Sequence, residues 1–193
     1  MHAATPSHPE VLDHRASVAA MSLVAGGLLQ AFLGLVLAPH QNPGSPYFAL
    51  ICGLNALSHA LLAVGVVALL RPLVAGSSFL ARSGWLMALF GLALLIVAEF
   101  VSLMNMDVAI VLFSVATFAI LAGMMAAGIA MLRSGHWSGW RRYTPLLCGL
   151  FVLLVVLPSF GLPGYASNFA IGAWGFCWLL LGLALREELA GAA

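Results

Sequence analysis

The chain predicts an all-α, polytopic bundle of six transmembrane helices, laid out as three in-out-in helical hairpins with both termini cytoplasmic. Composition is the first observation behind this: 63% of the 193 residues are hydrophobic and 7% are charged, with a mean hydropathy of +1.10. A soluble domain usually carries about 25% charged residues, so no soluble surface can be built from this one. The second is a set of apolar runs at 16–38, 48–70, 83–103, 108–132, 144–162 and 166–185. Each is close to the ~20 residues that cross ~30 Å of hydrocarbon. The third is the placement of the basic residues, all seven of which are arginines. Arg15 precedes the first run, Arg71 and Arg82 separate the second from the third, Arg133, Arg141 and Arg142 separate the fourth from the fifth, and Arg186 follows the sixth. The intervening breaks hold none, and the side rich in Arg faces the cytoplasm.

Taken in order, residues 1–15 form a cytoplasmic polar tail with Pro6, Pro9, Glu10 and Asp13, mobile until the first helix begins. The membrane domain covers 16–186. Its first run is too long for a secretory h-region, and Pro39 directly after the candidate site Val36-Leu37-Ala38 argues against cleavage. The second, fourth and sixth runs each end in Leu-Arg, at Leu70-Arg71, Leu132-Arg133 and Leu185-Arg186. Helices three and five both open near Ser-Gly-Trp, at Ser83-Gly84-Trp85 and Ser138-Gly139-Trp140, a hint of tandem hairpin units. The outer connections are short hairpin closures, two of them rich in Pro and Gly. Residues 187–193 are a cytoplasmic tail. No segment is long enough for a soluble catalytic or receptor domain.

Aromatic residues at the run ends suit interfacial anchoring: Trp85, Trp137, Trp140 and Tyr143 on the arginine side, Tyr47 and Tyr165 on the other, with Trp174 and Trp178 packed deeper. Ala119, Gly123 and Ala127 recur at four-residue spacing in the fourth helix, a stripe that admits a close helix neighbour. That neighbour is more often in the same chain than in a partner.

Ionisable and amide side chains inside the spans carry the functional argument, because each is costly in hydrocarbon unless paired or hydrated. Glu99 is the one carboxylate within a run. At ~1.5 Å per residue, Glu99 in helix three, Asn55 in helix two and Gln30 in helix one all fall about 8–12 Å below the outer boundary. His59 follows Asn55 by one turn on the same face, nearer the midplane. Gln30, Asn55, His59 and Glu99 are therefore the candidate ligand- or proton-binding set, provided that helix rotations turn them toward one another. The alternative is a hydrogen-bonded clamp with no ligand.

Other chemistries have less behind them. His40, Met104 and Met106 at the outer end have side chains suited to Cu(I), but no fixed mutual spacing, so no metal is assigned. A bis-histidine haem needs two deep histidines, whereas His59 alone is deep; no cofactor is expected. Cys52, Cys148 and Cys177 lie within spans, read as different depths, without a Cys-x-x-Cys motif, and count as small buried apolar residues. Nucleophile elbows, zinc-protease motifs and phosphate loops are missing, and Ser58 points about 100° away from the adjacent His59. A net charge of +1 gives no reason to expect nucleic acid.

These observations predict an integral protein of the bacterial inner membrane, the bacterial assignment resting on composition. Its role reads first as non-enzymatic binding, accessory or assembly work, in contact with membrane lipid and with another membrane protein or a second copy. The alternative is a small carrier or permease with a polar site around Glu99 and His59, and the lesser one an intramembrane hydrolase.

Overall fold

In hydrocarbon every backbone N–H and C=O must find its partner within the protein, and a continuous helix does this within one segment. The computed structural model describes residues 8–71 and 78–191, with side chains for 17–71 and 78–190. His2 and Pro6 of the tail, and 192–193 at the other end, lie outside the described residues. Among the described residues, six helices are long and apolar enough to cross a membrane: α1 (His8–Val36), α2 (Phe48–Leu69), α3 (Phe79–Ser102), α4 (Met106–Ser134), α5 (Arg141–Ser159) and α6 (Ala166–Gly191). They coincide with the six apolar runs. Helix α1 starts at His8, further back than the first run, although its apolar span begins at Ser17.

Local chemistry explains the boundaries. Ser78 caps α3 by accepting the Ala81 N–H at 3.1 Å, and Asn105 caps α4 by accepting the Val108 N–H at 3.1 Å. Asp107 lies in the first turn of α4 and Arg133 in its last, both favourable to the helix dipole. Gly135 ends α4 in the left-handed conformation, at φ 62°. Helix α5 is α-helical over Thr144–Phe151, widens to a π-turn over Val152–Val156, and finishes at Leu157–Ser159. Pro158 supplies the reason, because its ring has no N–H to donate and would press on the carbonyl one turn back. The wide turn redirects the bonding, with the Leu157 N–H reaching the Val152 carbonyl.

The six helices pack in a ring in chain order, which α6 closes against α1. Its two most extensive seams, α3 with α4 and α1 with α6, are made by small residues. A Cβ on Gly84 would fall 2.6 Å from the Ala127 nitrogen, and one on Gly123 would fall 2.6 Å from the Ala88 nitrogen. Likewise a Cβ on Gly27 would fall 2.6 Å from the Gly175 carbonyl oxygen. Backbones come this close only where side chains are absent, and dispersion between them holds helices together in lipid. Of the stripe in α4, Gly123 and Ala127 lie buried in the α3 seam and Ala119 sits half-buried beside it.

Outside this ring the surface is apolar: Leu50, Leu57 and Val64 on α2, Phe90, Val97 and Phe100 on α3, and Phe118 on α4 all stand about half exposed. The buried set, in contrast, includes Gln30, Ser58, His59, Glu99 and Ser102. Apolar outside with polar residues within is the arrangement that lipid selects. Tyr47, Tyr165, Trp140 and Tyr143 are exposed at the helix ends, as belt residues are. Trp85 and Trp137 are not, at 1% and 2% exposure: both turn into the bundle, where Trp174 and Trp178 also pack.

Candidate functional site

Two helices build the site. Along α3, Trp85, Leu92 and Glu99 recur every seven residues and are all buried, so they share one inward stripe. Small residues at Gly84, Ala88 and Gly91 set the rotation of that stripe by committing the adjacent face of the helix to α4. Facing it, α2 presents Cys52 and Asn55, one turn apart. Among the described residues, the side chains that reach the Glu99 carboxyl are those of Cys52 and Asn55. Ser102, one turn beyond Glu99, completes the group: its hydroxyl donates to the Glu99 carbonyl oxygen at 2.6 Å, and its Oγ lies 3.3 Å from Cys52 Sγ. Glu99 itself is 6% exposed. Its near neighbours are an amide and a thiol, both uncharged donors.

Asn55 and Glu99 thus come together, while the other two candidates have different surroundings. Gln30 lies on the α6 side of α1, where its Nε2 donates to the Ile171 carbonyl oxygen at 3.2 Å and its Oε1 is buried without a partner among the described residues. His59, on α2 one turn from Asn55, is 6% exposed with Nδ1 buried and unpartnered among the described residues. Ser58 donates to the Gly26 carbonyl oxygen at 2.9 Å, which ties α2 to α1 and leaves the hydroxyl turned toward that helix. Above Gln30 the same α1–α6 joint continues with Asn168 donating to Gln41 Oε1 at 3.0 Å and Gln41 donating to the Leu33 carbonyl at 2.7 Å.

Cys52 and Ser102 were not anticipated as members of the group. Their signal is present in the sequence, since each lies three residues from a candidate, Cys52 before Asn55 and Ser102 after Glu99. A second departure concerns Cys148 and Cys177, read as lying at different depths. The structure brings their side chains into contact as free thiols. Helix α5 leaves the arginine-bearing end at Arg141 and α6 returns to it at Arg186, so both cysteines lie about two turns from that end.

At the opposite end, Met104-Asn105-Met106-Asp107 forms the α3–α4 turn, in which Asn105 is the helix cap. Met104 is 90% exposed, and His40 packs edge-on against Tyr47 with ring centroids 5.5 Å apart. Among the described residues, no three His, Cys, Asp or Glu side chains form a group suited to a metal ion.

In chemical terms the Glu99 group is a carboxyl in a low-dielectric interior with neutral donors around it. Such a carboxyl is stable when it holds a proton or when a cation joins it, and costly as a bare anion. The chain matches no protein-family model, no curated protein and no solved structure.

Proposed function

We propose that the chain is a small proton- or cation-binding carrier of the bacterial inner membrane, built as three in-out-in hairpins with both termini in the cytoplasm. Its site is Glu99, with Asn55 and Cys52 as the groups that hold the carboxyl and Ser102 bracing Cys52. The observation that carries the reading is Glu99 itself, buried to 6% exposure on an inward stripe of α3 in the company of neutral donors. A clamp between α2 and α3 needs no acid, since interhelical hydrogen bonds in membranes average only about 0.6 kcal/mol and an amide supplies as much. An acid earns its place by changing protonation or by taking a cation.

Infrared difference spectra of purified protein between acid and alkaline buffer provide the test. A protonated-carboxyl band that titrates in wild type and vanishes in Glu99→Gln supports the reading. A band that survives the substitution, or a wild type without one, sinks it. Topology is tested separately with reporter fusions at the two termini, which should both report a cytoplasmic location.

The second reading, an accessory or assembly protein, draws on α4. Its span is 28% buried against 39–56% for the other five, which leaves Ile110, Val111 and Phe118 turned outward. The small-residue stripe Ala119, Gly123 and Ala127 adds nothing to this reading, because Gly123 and Ala127 pack against α3. Stable co-purification of one specific membrane protein in mild detergent would favour it over the carrier.

A further inference from the structure

The connection between α4 and α5 buries a tryptophan, which turn-making does not require. Gly135 and Gly139 flank it in left-handed conformation, at φ 62° and 58°, and between them Trp137 is only 2% exposed. A loop tryptophan at a bundle end ordinarily lies out in the interface. This one joins the core cluster that contains Leu69, Trp85, Met131 and Leu185, residues from the arginine-bearing ends of four helices. The segment is also fastened from outside. The Ser138 N–H donates to Glu188 Oε1 at 3.1 Å, Arg141 Nε lies 3.0 Å from the same oxygen, and Arg141 also bonds the Ser138 hydroxyl.

The geometry points to residues 135–140 as a lid on the arginine-bearing end of the bundle, seated by Trp137 and latched through Arg141 to Glu188. Glycines at both edges are residues that tolerate a large backbone rotation, as hinge positions must. The latch is a partly exposed ion pair, worth at most about 1 kcal/mol and hence easily broken. Below the lid, the indole N–H groups of Trp85 and Trp178 are buried without acceptors among the described residues. Water entering on opening would satisfy both, and that gain narrows the gap between closed and open states. The lid controls access of water-soluble species to the interior from that end, whatever Glu99 binds.

Native thiols report the opening. Cys148 and Cys177 lie buried about two turns below the lid, whereas Cys52 is buried in the Glu99 group toward the other end. Purified full-length protein is alkylated with N-ethylmaleimide and each cysteine is followed by mass spectrometry. Glu188→Gln should raise the rate at Cys148 and Cys177 by up to about fivefold, the most that losing a pair of this kind allows, and leave Cys52 unchanged. Trp137→Ala should raise it further. Unchanged rates at Cys148 and Cys177 in folded Glu188→Gln and Trp137→Ala protein would overturn the lid, as would an equal rise at Cys52, which marks general loosening.

Discussion

Helix α3 has two working faces, and they are made in opposite ways. Toward α4 it offers Gly84, Ala88 and Gly91, and the partner backbone comes within van der Waals reach along the seam. Toward α2 it offers Glu99, whose carboxyl meets Asn55 and Cys52. The small-residue face maximises contact per turn, and in lipid that contact is the main source of helix association. The polar face exchanges such contact for hydrogen bonds of small net worth and accepts a desolvated acid. One face holds the helix in place, so the other is free to serve chemistry.

The largest effect should come from breaking the first face. Gly123→Leu would place a side chain where a Cβ alone already falls 2.6 Å from the Gly84 carbonyl oxygen. Backbone cannot yield as a side-chain tip can, and the expected loss is about 3 kcal/mol, the upper part of the usual overpacking range. Reversible unfolding in mixed detergent micelles would measure it. Ala119→Leu sharpens the same comparison, because Ala119 is half-buried beside the seam. Its cost should stay below about 1 kcal/mol, since most of the added side chain can turn toward lipid. Equal costs at the two positions would mean that the seam is not the specific contact described.

The fold was largely legible because its determinants are one-dimensional. Hydropathy located all six helices, and the polar caps Ser78 and Asn105 stand just where two of them begin. Rotation about each helix axis was not legible in the same way, and the site depended on it. Depth counting brought Glu99 and Asn55 to one level, and the structure places Asn55 at the carboxyl. Gln30 shares that level but lies between Gly27 and Gly34 along α1, and both glycines are pressed against α6. The close approach turns Gln30 to Ile171. Trp137 escaped for a related reason: a tryptophan at a membrane boundary has two good environments, and only the tertiary contacts of the loop select the buried one.

Asn55→Ala tests the polar face directly. Its amide is one of two side chains at the carboxyl, so its removal should cost about 0.6 kcal/mol and at most about 1.7 kcal/mol, the range measured for hydrogen bonds between membrane helices. The same unfolding assay reads it. A loss near 3 kcal/mol would instead make this joint as structural as the glycine seam, and the clamp reading would gain.

The smallest effect on stability should accompany the largest on function. Glu99→Gln keeps the shape and one acceptor oxygen for Asn55, and it removes the need to desolvate or protonate an acid, so unfolding should shift by less than about 0.5 kcal/mol in either direction. A clamp would then be intact by every structural measure. Proton or cation binding, however, has no carboxyl left to use, and the titrating infrared band should be gone. If the variant were to lose several kcal/mol, Glu99 would be holding α3 to α2 after all, and the division of labour between the two faces would fail.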